Sequence, residues 1–289
     1  MKKKIEIVVT GVLLAVALGF LGYKLWRVWN LARLQQAMIE QPSTATPGQL
    51  ARRAEIVAEL QPVTLSNCEL TRMGGPNDGG YLMCKNLLPG IQTAYSYGIG
   101  WEDNWGCDVS AAHKVPVHQY DCFSPVALQC TGGVFQLNAE CVGPKTETID
   151  GRKFDTIANQ MARNGDTGKK MVVKIDVEGA EWQSILATPD EVLAGIDQMP
   201  MELHGVDDPG VLEALRKLKT HFYLLSVHFN NWSCDGRLAP MKAWAYQVLF
   251  VNKRLGVVGP QPAGSATVES LLAPDAPKNP DCQFSPAKR

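Results

Sequence analysis

Residues Val172 to Trp182 read VVKIDVEGAEW. The stretch opens on apolar, β-branched residues, as a buried parallel strand does. It then sets two carboxylates, Asp176 and Glu178, directly before a glycine and a run that can continue as a helix. In an open α/β sheet, ligands bind just beyond the carboxyl ends of the strands. The two acids are therefore expected where a reacting group would lie. Two later apolar runs end in a similar way, in Met201-Glu202-Leu203-His204 and Val227-His228-Phe229-Asn230. Parallel strands would carry Asp176, His204 and His228 to one rim. Imidazole suits proton transfer near neutral pH. Asp176 or His204 is expected to act as a base toward an attacking hydroxyl, with His228 and Glu178 positioning the acceptor. The same mixture of carboxylate and imidazole can instead hold a divalent metal, here through Asp176, His204 and His228.

A second group lies upstream. Ser96-Tyr97-Gly98-Ile99-Gly100 follows a strand-like run, and its glycines allow a backbone to approach a cofactor closely. The next apolar run ends in Tyr120-Asp121. An acid about twenty residues beyond such glycines can accept hydrogen bonds from ribose hydroxyls. Glu102 and Asp103 stand just after the loop and are further choices for cofactor contact. The chain has no G-x-G-x-x-G at this point, which favours S-adenosylmethionine over a dinucleotide.

Elements that would position these residues follow from hydrophobic patterning. Strands are expected at Thr93–Tyr97, Val115–Tyr120, Phe135–Val142, Met171–Val177, Gln198–Leu203, Phe222–His228 and Tyr246–Asn252. Helices such as Asp155–Arg163 and Gly210–Lys219 separate them, and Gln49–Leu60 reads as a short amphipathic helix. Alternation of this kind argues for an α/β fold with a seven-stranded, mostly parallel sheet.

The chain divides into an N-terminal membrane segment (1–30), a linker with a short helix (31–60), a catalytic domain (61–256) and a Pro-rich, extended or disordered tail (257–289) that Cys282 would pin. The 17 residues from Ile7 to Tyr23 carry no charge and are flanked by Lys2–Lys4 on one side and Lys24, Arg27 and Arg33 on the other. Tyr23, Trp26 and Trp29 suit the membrane interface. The run exceeds a usual signal-peptide core, which favours an uncleaved single-pass anchor over a cleaved leader. With 28 basic and 29 acidic residues the net charge is −1, which gives no support for nucleic-acid binding. Eight cysteines without a C-x-x-C pair point to disulfides, hence to a lumenal or extracytoplasmic domain.

KIDVEGAEW resembles the signature of the FkbM-type S-adenosylmethionine-dependent methyltransferases. Asn77-Asp78-Gly79-Gly80-Tyr81 is similar to the element before their first strand, and YSYGIGWEDNW to their cofactor loop. The resemblance covers most of 72–252. It implies a class I methyltransferase fold, a Rossmann-like, doubly wound sheet whose last strand is antiparallel, with Gly98 and Gly100 along the methionine part of the cofactor and Asp121 at the ribose. It departs at Asp121-Cys122-Phe123-Ser124-Pro125, where the family more often has Asp-Pro. The activity it implies is O-methylation of a hydroxyl on a sugar, glycan or other small acceptor. A membrane-anchored, metal-dependent glycosyltransferase is the alternative, with Asp176-x-Glu178 as the nearest substitute for Asp-x-Asp. A non-catalytic S-adenosylmethionine-binding module is the other.

Overall fold

The computed structural model describes residues 2–262 and 264–282, and for 2–18 the backbone alone. Helix α1 (Lys2–Ile39) leads to α2 (Pro47–Glu59). Thr46 and Gln49 close a capping box at the start of α2, with Pro47 in the first turn, where its missing N–H costs nothing. An antiparallel hairpin follows, β1 (Leu70–Gly74) and β2 (Gly80–Cys84). Then come β3 (Thr93–Tyr97), α3 (Asn104–His113), β4 (Pro116–Tyr120) and β5 (Val134–Asn138). A small side sheet is formed by β6 (Cys141–Val142), β7 (Glu147–Ile149) and β8 (Arg152–Asp155). The chain continues through α4 (Ile157–Arg163), β9 (Met171–Ile175), α5 (Glu181–Ala187), α6 (Asp190–Gly195) and β10 (Ile196–His204). It ends with α7 (Val211–His221), β11 (Phe222–Phe229), β12 (Ala245–Asn252) and the single turn α8 (Val268–Leu271).

The main sheet has seven strands in the order β11-β12-β10-β9-β3-β4-β5. All are parallel except β12, the last in sequence, which is antiparallel to both neighbours. Strand β9 is buried along its whole length, as a central parallel strand must be. Its residues alternate between two cores. Val173 and Ile175 face the helices, against Trp182, Leu215 and Leu218. Val172 faces the hairpin side, with Trp105 and Leu82. Truncating Ile175 to Ala is expected to cost about 2–5 kcal/mol, the usual range for a closed core site. In α7, Val211, Leu212, Ala214, Leu215 and Leu218 are buried at helical spacing, which fixes the face it turns to the sheet.

The hairpin β1–β2 is tied to the sheet by an amide. Gln198 on β10 accepts from Cys84 N–H (2.8 Å) and donates to Cys84 C=O (2.9 Å), doing for β2 what a neighbouring strand would do. All eight cysteines are paired, as Cys68–Cys84, Cys107–Cys130, Cys122–Cys141 and Cys234–Cys282.

Three expectations need correction or restriction. The strand expected over Phe135–Val142 is two strands in different sheets, because the chain leaves the main sheet after Asn138. The tail is not loose as far as Cys282: Asp275, Ala276 and Cys282 are buried, and Asn231 clasps the chain at Ala276 with a 2.8 Å and a 2.9 Å hydrogen bond. The side chains of 1–18, which hold most of the proposed membrane segment, lie outside the described residues. Among the described residues no helix is long and apolar enough to cross a membrane.

Candidate functional site

Chain connections from β3 run outward through β4 and β5, then return across to β9. The sheet therefore has its switch point between β3 and β9, the place where open α/β sheets bind ligands. A cavity of about 480 Å³ lies there, within the usual range for small-molecule sites. Gly98 and Gly100 form its floor, Asp121 and Phe123 one wall, and Asp176 and Glu178 another.

One of the two glycines is required by geometry. Gly98 has φ +73°, and a Cβ on it would stand 1.6 Å from the Asp176 carbonyl oxygen. The loop after β3 thus rests directly on the end of β9. Lys174, buried on the hairpin side of β9, reaches back to donate to the Gly98 carbonyl and sits 3.2 Å from Asp176 Oδ2.

Asp121 lies at the tip of β4, lining the cavity, but its carboxylate is engaged. Oδ2 accepts from Ile99 and Gly100 N–H (both 3.1 Å), and Oδ1 from Phe123 and Ser124 N–H (both 2.8 Å). A carboxylate has about four acceptor positions, so Asp121 clasps two loops together rather than presenting a free oxygen. Glu102 lines the same cavity and accepts one bond, from Asn104 (2.9 Å). Asp103 turns the other way: it is buried, caps α3 through Gly106 N–H (2.9 Å), and accepts from Gln119 (2.8 Å). Nothing in its placement puts it against the cavity.

At the other wall the strand ends converge. Asp176 Oδ2 accepts from Tyr81 O–H on the hairpin (2.9 Å). Its Oδ1 lies 3.9 Å from His204 Nε2. On its far side, His204 Nδ1 is 2.7 Å from Glu181 Oε1. Glu181 is fully buried, and its carboxylate also accepts from Val177 N–H (3.0 Å) and Gly179 N–H (2.9 Å). Trp182 N–H donates to the His204 carbonyl (2.7 Å). Two neighbouring residues of the helix thus fix one histidine. Burial opposes a charge on that ring, but the Glu181 hydrogen bond and the charges of Glu181, Glu202 and Asp176 prevail and raise it to about 9. His204 is therefore an imidazolium at neutral pH.

Glu202, two residues earlier on the same face of β10, belongs to the cluster. Burial and the charge of Asp176 push its carboxyl well above the usual range, against the pull of His204 and of Asn230, which donates to Oε1 (2.7 Å). One ligand atom each from Asp176, Glu202 and His204 lies within 4.8 Å of the others. Glu178 stands at the lip in the left-handed region (φ +55°), exposed, with Oε2 3.7 Å from His204 Nε2. A non-glycine residue held there stores strain of a kind that clusters at functional sites.

His228 is not brought to this group. It lies on β11, two strands from His204, paired in register with Gln247 of the intervening β12, and its Nε2 faces Asp275 Oδ2 at 3.4 Å under the C-terminal segment. Sequence reasoning placed Asp176, His204 and Glu178 together but missed Glu202, Glu181, Lys174 and Tyr81. Glu202 carried a legible signal, an acid at i−2 from His204 on one strand face. No protein-family model matches the chain, and no curated protein matches it.

Proposed function

We propose that the chain is an S-adenosylmethionine-dependent methyltransferase of FkbM-like, class I type that transfers a methyl group to a hydroxyl. One observation carries this reading: the cavity lies at the sheet's switch point, floored by Gly98 and Gly100, the first of which has no room for a side chain, and walled by acids. The strand order, with only the last strand reversed, supports it. When bound, the cofactor supplies an electrophilic methyl on a sulfonium. Gly98 and Gly100 would line its methionine part, and acids on both walls suit its positive charge. Glu102 has the free acceptor capacity that ribose hydroxyls need, while Asp121 holds the loops in shape.

The residues at the other wall do the remaining work. They must align an acceptor oxygen and take its proton. His204 is already protonated and poorly suited as a base. Asp176 and Glu178 are the carboxylates that line the cavity beside His204, whose ring holds negative charge in place there. The acceptor is a sugar, glycan or other small molecule. The four disulfides favour an oxidising compartment, with the domain lumenal or extracytoplasmic and anchored by the N-terminal segment. The exposed Phe20, Trp26 and Trp29 on α1 suit a bilayer interface.

Calorimetric titration of the full chain in detergent with S-adenosylmethionine tests the reading. Saturable binding that weakens in Glu102→Gln and is lost in Asp121→Ala is expected. A folded protein that takes up none would end the proposal.

A further inference from the structure

We propose that Asp176, Glu202 and His204 form a binding site for a divalent first-row cation of the Mn2+ to Zn2+ series. The three residues come from two adjacent strand ends. Glu202 and His204 alternate on one face of β10, and Asp176 follows β9, its parallel neighbour. Two of the three are buried.

Each of the three side chains is held by a partner outside the cluster. Asp176 has Oδ2 occupied by Tyr81 O–H and the Lys174 ammonium, and its Oδ1 is turned toward His204. His204 has Nδ1 fixed by Glu181, and its Nε2 lies at 3.7 Å and 3.9 Å from carboxylate oxygens, too far for hydrogen bonds. Glu202 has Oε1 fixed by Asn230. In each case an outer partner holds one atom and the other is free to meet the rest. Ligating histidines are oriented in this way, through a carboxylate on the second ring nitrogen.

Charge points the same way. Four carboxyl groups, those of Asp176, Glu178, Glu181 and Glu202, crowd the His204 imidazolium and the Lys174 ammonium. A cation bound to the three would take the place of the proton on His204 Nε2, as metal binding at such ligands does. Two carboxylates and one imidazole suit borderline cations, and three protein ligands leave positions for an acceptor oxygen or water. In the methyltransferase reading, on which its catalytic role rests, such an ion would hold the acceptor hydroxyl and make it more acidic. The binding itself does not depend on that reading.

The test uses the full chain in detergent, stripped with chelator and titrated with Mn2+ without any cofactor. One Mn2+ per chain is expected, with affinity reduced about tenfold or more in Glu202→Gln and unchanged in Glu191→Gln, an exposed acid remote from the cluster. Because buried variants can unfold, a second measurement is made on the wild type: electron spin-echo modulation of bound Mn2+ should show a directly coordinated imidazole nitrogen. A folded protein that binds no Mn2+, binding unaffected by Glu202→Gln, or the absence of nitrogen coupling overturns the site. Mn2+ binding together with no uptake of S-adenosylmethionine would leave the site standing and remove the methyltransferase reading.

Discussion

Glu181 Oε1 stands 2.7 Å from His204 Nδ1, although the two residues belong to different elements. That contact fixes the ring, so that Nε2 alone faces Asp176 and Glu178. Replacing Glu181 with Gln keeps the volume and removes the charge. A carboxylate in this position usually contributes a factor of 10–100 to metal affinity, so Glu181→Gln is expected to weaken Mn2+ binding by about that factor. Titration of the folded variant checks it, and an unchanged affinity would mean that Glu181 serves only the fold.

Gly98 is the position most sensitive to a single methyl group. Its Cβ would meet the Asp176 carbonyl oxygen at 1.6 Å in a backbone conformation that only glycine adopts readily. Gly98→Ala is expected to destabilise the domain by more than about 1 kcal/mol and to abolish cofactor uptake. Gly90→Ala is the comparison, since φ there is +90° with open space around it. Strain alone would make the two variants equal in melting temperature, and the clash should set Gly98→Ala well below.

A second buried network governs acid stability. Asp166 accepts from Tyr95 (2.6 Å), Thr93 (3.1 Å) and Lys169 (2.6 Å), and His118 Nε2 lies 2.9 Å away. Burial opposes the Asp166 charge, yet the Lys169 and Tyr95 hydrogen bonds outweigh it and lower its carboxyl below 3.8. Burial lowers His118 below 6.5 despite Asp166, so the ring is neutral and gives Asp166 a hydrogen bond rather than a charge. Both groups have depressed folded values. Each therefore contributes stability above its unfolded value that is lost as pH falls. Denaturant melts should show stability declining below about pH 6.5, and more steeply below about pH 4. Asp166→Asn should flatten the lower limb and, by removing the charge that holds His118 up, deepen the upper one. A wild-type curve flat to pH 3 would contradict this account.

The Cys122–Cys141 disulfide lines the cavity and ties the Asp121 loop to β6. Cys68–Cys84 instead staples the hairpin strand to the segment before it. The paired variant Cys122→Ser with Cys141→Ser is expected to lose ligand affinity at least as much as stability. Removing Cys68 and Cys84 should act on folding, at about 2–4 kcal/mol. Parallel effects of the two variants on binding would place the Cys122 bridge outside the site.

Much of the sheet was legible because parallel strands buried on both faces are written as short apolar runs, Met171–Ile175 being the plainest. The acid and imidazole at the ends of β9 and β10 were legible for the same reason. What could not be read is what depends on contacts across the sequence. Tyr81 reaches Asp176 from a hairpin that Gln198 ties to β10 over a separation of 114 residues. His228 shares its strand-end pattern with His204, but an intervening antiparallel strand moves it away from the cluster. Asp121 sits where a ribose ligand was expected, and only its four amide partners show how its charge is used.

The C-terminal segment has a consequence for synthesis. Asn231 is clasped at Ala276, Gln247 donates to Asp275 (3.1 Å), and Cys234 is joined to Cys282. Chains fold from the N-terminus as they emerge, so every strand of the sheet is made before this closing strap exists. Until the strap is released from the ribosome, the faces of β11 and β12 beneath it remain uncovered. A nascent chain at that stage would offer chaperones and oxidoreductases a nearly complete domain with one open flank.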